Sequence, residues 1–468
     1  MAVKFSFFGA SGEVTGSCYL LETDRSRVLL ECGMHQGPPE MERLNEAPFP
    51  FDPRALDAVV LSHAHLDHSG LLPKLVRDGY RGPIHCTTAT HGLLGILLAD
   101  AAHLAQRDVD WENRRRERAG REPVEPLYTP ADVDQVLAQC KPVDYGREVR
   151  VTRDVQLLYQ DAGHILGSGV VNLRIDSGGL EQRLAFSGDL GNPQSVLMES
   201  PASPESADVV VMEGTYGNRD HQSMDDTVEE LAGILAAAAR EGGNVLIPAF
   251  AVGRTQEVIY HLLLLHRQGR LPQAHVYLDS PMAIEVTELY LRNLESLDRA
   301  DLERLTGPGG RPLRSLFGLV KPTRTPQESM ALNRISGGAV IIAGSGMCTG
   351  GRIRHHLKHN LWRRETRLVI VGFQAAGTLG RRLVDGAERV SMLGEEIAVR
   401  GHIHTLGGYS AHAGRSDLLE WARRIGGHPR FFLVHGEPDA LAALQSGLAD
   451  VHGIQAQIPG YKEVLTIA

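Results

Sequence analysis

The chain is poor in several features that would assign it to a class early. Aromatic residues make up only 5% of its 468 positions, and no row of them marks a base-stacking surface. Cysteine is scarce: Cys18, Cys32, Cys86, Cys140 and Cys348 are scattered, odd in number and form no CxxC pair. Neither a disulfide framework nor a thiolate zinc site follows, and a reducing cytoplasm is the expected setting. No apolar run reaches the roughly 18 residues of a membrane span. The opening MAVKFSFFG runs directly into a strand pattern without a basic leader, so no signal peptide is expected. Positive charge is not in excess. The net charge of −9 means that any nucleic-acid surface must be a local patch. Neither low-complexity linkers nor a fixed repeat break the chain.

What is abundant is glycine, 51 residues, and histidine, 21. Short apolar strands dominate the first part: VKFSFFG, CYLLET, RVLLECG and DAVVLSHAH, then VQLLYQDAGH, GVVNLRID and QRLAFSGDLG. A helical pattern runs from about Thr90 to Arg121. From about residue 217 the style changes to alternating helices and buried-type strands with glycine-rich ends: NVLIPAF, HVYLDSPMA, AVIIAGSGMCTGG, TRLVIVGFQAAGTLG. That alternation predicts a parallel α/β sheet, inserted into the first domain.

The sharpest local signal is Ser62-His63-Ala64-His65-Leu66-Asp67-His68 at the end of an apolar strand. Alternate side chains point the same way on extended backbone, so His63 and His65 can grip one metal while Asp67 and His68 turn to a second. Imidazole nitrogen with carboxylate oxygen suits zinc, and also manganese or iron. Four ligands cannot complete two coordination spheres. Three other strand ends are expected to add more: DAGHILGS around His164, SGDLG around Asp189, and LVHGE around His435.

HAHLDHSG with a later glycine-flanked histidine and SGDLG resembles the metallo-β-lactamase fold of dinuclear hydrolases. Met212-Glu213-Gly214-Thr215-Tyr216-Gly217, Tyr409-Ser410-Ala411-His412-Ala413-Gly414 and Leu433-Val434-His435-Gly436-Glu437 resemble, in order, the three further motifs of its β-CASP branch. SPMA and GSGMCTGGR look like that branch too. The likeness covers essentially the whole chain. It is closest in type to the bacterial and archaeal ribonucleases related to the endonuclease subunit of mRNA 3′-end processing.

The resemblance implies an αββα sandwich, residues 1–216 and 391–468, holding an inserted β-CASP domain of parallel sheet flanked by helices at 217–390. The insert would cap the metal cleft and leave a groove for a single strand. The resemblance also implies two Zn2+ ions: His63, His65 and His164 on one, Asp67, His68 and His435 on the other, and Asp189 bridging. A two-metal-activated hydroxide would hydrolyse phosphodiester bonds of single-stranded RNA. Glu213 would keep His412 basic as general acid, so Asp67, Asp189, Glu213 and His412 form the expected catalytic set. In this branch a histidine at the third motif, here His435, accompanies RNA-directed members. One departure stands out: Glu31 in Glu31-Cys32-Gly33 replaces the usual aspartate that supports the histidine loop.

Arg254, Ser345 and Arg352 lie at glycine-rich strand-to-helix turns and are expected to contact backbone phosphates. Binding should be backbone-led, with no membrane involved; a homodimer is left open. No further domain is expected after His435, which favours an endonuclease. The alternatives are a 5′-to-3′ exoribonuclease, a small-molecule metallo-hydrolase of thioester or lactam type, and a non-catalytic scaffold.

Overall fold

Short apolar runs separated by turn residues become strands from the start of the chain, in a computed structural model that describes residues 3–307, 317–375 and 377–467. Strands β1 (Lys4–Phe7), β2 (Tyr19–Glu22) and β3 (Arg27–Leu30) form an antiparallel meander. β4 (Ala58–Val60), β5 (Ile84–Thr87) and β6 (Cys140–Val143) extend it in parallel. β7 (Val149–Arg150), β8 (Val155–Asp161), β9 (Gly169–Ser177) and β10 (Leu180–Phe186) begin a second sheet, antiparallel throughout. β11 (Val209–Glu213) joins it parallel to β10.

The chain then builds a separate unit. β12 (Val245–Pro248), β13 (His275–Leu278), β14 (Val320–Pro322), β15 (Ala339–Ala343) and β16 (Arg367–Ile370) are all parallel. β12, β15 and β16 are buried along their whole length, which suits a parallel sheet covered on both faces. A hairpin, β17 (Arg389–Met392) and β18 (Glu395–Ala398), precedes β19 (His402–Thr405). The sheet order is β14-β13-β15-β12-β16-β19. The helix Met224–Glu241 leads into this unit. Ser223 caps it by accepting from Asp226 N, and Gly242 ends it at φ 71°.

The chain returns to the first unit with β20 (Arg430–Val434), β21 (Ala456–Gln457) and β22 (Val464–Thr466). Its two sheets run β22-β1-β2-β3-β4-β5-β6 and β21-β20-β11-β10-β9-β8-β7 among the described residues. Phe5, Phe7, Tyr19 and Val60 of one sheet share a core with Tyr159, Phe186, Val211 and Phe432 of the other. The opposite face of the second sheet packs Val210, Met212 and Leu433 against Leu418, Trp421 and Leu441 of two late helices. The helix Thr88–Arg118 buries Leu93, Leu94, Leu97 and Leu98. None of the described helices is long and apolar enough to cross a membrane.

The first unit comprises Met1–Pro193, Ser200–Asp220 and His412–Ala468; the second comprises Gln194–Glu199 and His221–Ala411. The second unit thus runs to Ala411 rather than ending near residue 390, because β19 pairs in parallel with β16. It also takes an early segment, since Leu197 N donates to Asp301 Oδ2 (2.8 Å) and Leu197 O accepts from Asp298 N (2.9 Å).

Inside the second unit the fully buried Asp279 follows β13 and collects four donors: Arg352 (2.7 Å), Thr323 Oγ1 (2.5 Å), Ser329 Oγ (2.6 Å) and His356 Nε2 (2.6 Å). Burial alone would raise its pKa. The four donors overcome that and hold it well below the usual carboxylate range. Its stabilisation is therefore complete above about pH 4, the unfolded-state value, and is lost as pH falls toward the depressed one. Asp279→Ala leaves Arg352 and His356 without their carboxylate. It is expected to cost about 3–5 kcal/mol, read as a lower midpoint in denaturant unfolding.

Candidate metal centre

Each potential ligand follows the end of a strand. β4 stops at Val60, His63 and His65 come next, and the one-turn helix Leu66–Ser69 carries Asp67 and His68. His164 lies three residues past β8, Asp189 three past β10, and His435 directly after β20. Close approach of these loops requires glycine. A Cβ on Gly191 would lie 1.9 Å from Gly163 O, so the Asp189 and His164 turns pass in near contact. A Cβ on Gly33 would lie 1.7 Å from Asp67 O.

The side chains form two sets. In the first, His65 Nδ1 is 3.1 Å from His63 Nε2 and 3.2 Å from His164 Nε2. Asp189 Oδ2 is 3.5 Å from both His63 Nε2 and His164 Nε2. In the second, His68 Nε2 is 3.2 Å from His435 Nε2 and 3.9 Å from Asp67 Oδ2, and His435 Nε2 is 3.6 Å from Asp67 Oδ2. Asp189 Oδ1 faces this set, 3.2 Å from His68 Nε2. Donors around a tetrahedral ion bound at about 2.0–2.2 Å stand about 3.3–3.6 Å apart, so the donor spacing fits divalent cations. Asp189 Oδ1 adds a second sign: it is buried and makes no hydrogen bond, an acceptor suited to a cation.

Electrostatics agree with the geometry. Burial pushes His63 and His65 below the usual imidazole range and keeps their lone pairs available. Burial would raise Asp67 and Asp189. The surrounding imidazoles outweigh it, holding Asp67 at about 2 and Asp189 well below its ordinary value. Burial also opposes charge on His68, but Asp189, Asp67 and Glu31 raise it, so a cation at Nε2 must displace a proton.

Glu31 sits beneath both sets. It is fully buried at φ 63°, and accepts from Ser62 N (2.6 Å), Ser62 Oγ (2.9 Å) and His68 Nδ1 (2.5 Å). Because Ser62 Oγ donates to Glu31, it accepts from His63 Nδ1 (2.9 Å). One carboxylate thus holds the Nδ1–H of both His63 and His68 and turns each Nε2 toward its set, that of His68 becoming a donor once its proton is displaced. The longer side chain reaches both hydrogen-bond partners and does the loop-supporting work expected of aspartate. Glu31→Gln places an amide NH2 against one of these donors. It is expected to weaken metal affinity about 10–100-fold, measured by competition with a chromophoric chelator. Thr215 does the same for His435: its Oγ1 lies 3.1 Å from both His435 Nδ1 and His435 O. A hydroxyl donating to the carbonyl accepts from Nδ1–H and frees Nε2. Ser62 and Thr215 escaped the sequence reading, although each hydroxyl stands beside or inside a recognised motif.

His412 lies beside the first set, paired with Gly191 across an isolated bridge and with its ring 4.6 Å from that of His164. Its Nδ1 is 3.3 Å from Glu213 Oε1. Glu213 is fully buried, accepting from Leu190 N (2.6 Å) and Thr215 N (3.2 Å). Burial opposes charge on His412, yet Glu213, Asp189 and Asp67 raise it to about 9.

The expected phosphate contacts belong to the second unit and are mostly engaged. Arg254 is buried in an ion pair with Glu257, its guanidinium 5.5 Å from the Tyr409 ring centre. Arg352 donates to Asp279 and to the carbonyls of Thr323 and Arg324, both at 2.9 Å. Ser345 Oγ accepts from Gly350 N (3.1 Å) within its glycine loop.

Two sheets backed by helices, with this histidine–carboxylate cluster at their strand ends, define a metal-dependent hydrolase. The Metallo-beta-lactamase superfamily model matches residues 11–237, the Beta-Casp domain residues 255–383, and the Zn-dependent metallo-hydrolase RNA specificity domain residues 396–459. The chain belongs to the β-CASP family of metallo-hydrolase ribonucleases. It is 44% identical to Ribonuclease TTHA0252 of Thermus thermophilus over 443 residues, 94% of this chain and 95% of that one. Transcription termination factor FttA of Methanothermobacter thermautotrophicus is 32% identical over 99% of this chain and 72% of its own length. The crystal structure of a protein of unknown function from Enterococcus faecalis V583 shares the fold, with a TM-score of 0.53 over all of both chains at 14% identity.

Proposed function

We propose that this ribonuclease cuts single-stranded RNA internally, using two zinc ions. His63, His65 and His164 would hold one ion and Asp67, His68 and His435 the other, with Asp189 available to both. The observation that carries the reading is Asp189, whose two oxygens face different donor sets while one of them lacks a hydrogen bond. Ions bound there supply a nucleophile at neutral pH and offset charge building on the phosphoryl oxygens.

The remaining work falls to the chain. Glu31 and Thr215 orient the imidazoles. His412, held cationic by Glu213, gives its proton to the ribose oxygen that leaves phosphorus. Ser345 is the direct phosphate contact of the second unit; Arg254 and Arg352, placed on internal carboxylates, shape the strand ends around it. RNA as substrate is supported by the RNA specificity model over residues 396–459 and by the ribonuclease name of the Thermus relative. Five free cysteines suit a reducing, cytoplasmic setting.

The test is zinc-loaded protein and its His65→Ala variant, each incubated with one single-stranded RNA labelled at either end. Internal fragments made only by the unmutated protein are expected. Stepwise mononucleotides from the 5′ end would instead assign an exonuclease. Uncut RNA, with two ions bound, would move the substrate to another phosphodiester or a small ester.

A further inference from the structure

One end of the parallel sheet in the second unit carries a topological switch. The chain leaves β12 toward β13 on one side, and leaves the adjacent β16 toward β19 on the other. Loops at the carboxyl ends of β12 and β16 therefore diverge, which is where parallel α/β sheets take up ligands. This edge carries two large apolar side chains in solvent: Phe250, just past β12, is 43% exposed, and Phe373, just past β16, is 54% exposed.

Both are held on firm backbone. Phe250 O accepts from Thr255 N (3.3 Å) and Thr255 Oγ1 (2.7 Å). The Phe250 ring lies over Gly346, where a Cβ would come within 2.8 Å of it, and beside Gly372, at 3.8 Å. Glycine on the neighbouring loops leaves room for the ring. The buried Gln374 ties those loops together, its Nε2 donating to Gly346 O and Phe373 O, both at 2.9 Å. The helices after β15 and β16 start at this same edge. They carry Arg354, in the first turn of one, and Arg382, in the last turn of the short other, neither in an ion pair among the described residues. Exposed rings on a fixed frame with unpaired cations nearby match what single-stranded nucleic acid needs: a π-face for bases and positive charge for phosphates.

We propose that Phe250 and Phe373 are a stacking platform for unpaired bases of the RNA strand, with Arg354 and Arg382 balancing its backbone charge. This rests on the RNA reading above and adds base contact to binding that the sequence alone casts as backbone-led. The two rings escape notice in a chain with few aromatics because only the sheet brings them to one edge.

The experiment measures fluorescence anisotropy of a labelled single-stranded RNA with the zinc-loaded full-length chain in a His65→Ala background, which spares the RNA. A second oligonucleotide keeps the ribose-phosphate backbone and lacks the bases. Phe250→Ala and Phe373→Ala are each expected to weaken intact RNA about tenfold and leave the abasic strand unchanged. Phe250→Trp and Phe373→Trp should restore binding, with indole emission quenched when RNA is added. Equal losses for both oligonucleotides, or none for either, would overturn the platform. If the unsubstituted background binds neither, while the parent enzyme also leaves RNA uncut, the RNA reading itself falls. Cleavage by the parent with unaffected alanine variants removes the platform alone.

Discussion

Asp189→Ala is expected to abolish RNA cleavage, by at least about a thousandfold, and to reduce the bound metal. Among the described residues the carboxylate has an oxygen toward each donor set, 3.5 Å from His63 and His164 and 3.2 Å from His68. Removing it leaves His63, His65 and His164 as three neutral donors. The second set keeps a single carboxylate, Asp67. Metal charge at a phosphoryl centre is worth several kcal/mol, and each 1.36 kcal/mol is tenfold in rate. Elemental analysis of the purified variant, beside a cleavage time course, checks both halves. Full metal content with normal cleavage would exclude the bridging role. Asp189→Asn should behave almost as badly, because the amide keeps the shape but not the charge.

His412→Ala is expected to lower kcat by about 10²–10⁴-fold while leaving metal content unchanged. His412 has its Nδ1 on Glu213 and none of the shortest donor-to-donor distances of either set. The discriminating substrate is a phosphodiester with a p-nitrophenolate leaving group, which departs without a proton. On it the variant should keep most of its activity. A general acid predicts that split, whereas a structural role predicts equal loss on both substrates. Glu213→Gln should reproduce the split more weakly, since it removes the charge that holds the imidazole protonated.

The chemistry was far more legible in the sequence than the supporting structure. HxHxDH declares itself because its candidate ligands are close in sequence, and His164, Asp189 and His435 are visible because strand-end residues flanked by glycine repeat one local pattern. Arg254 and Arg352 stand where phosphate-binding arginines stand, after glycine turns. What decides their use is Glu257, one helical turn on, and Asp279, far away in sequence. The extension of the second unit past residue 390 is hidden for the same reason, because it depends on β19 pairing with β16. Glu31 stands out in the sequence only as a replacement for aspartate, and its double hydrogen bonding appears only when Ser62 and His68 are in place.

The late position of His412 and His435 bears on how such an enzyme is made. The first unit closes only when its last segment, from His412 on, joins β11 through β20. A chain still being synthesised and short of residue 412 carries His63, His65, His164 and Asp189 but neither His412 nor His435. A nascent nuclease emerges surrounded by messenger and ribosomal RNA. On the roles proposed for these histidines, a chain released before both are made is expected to leave RNA uncut.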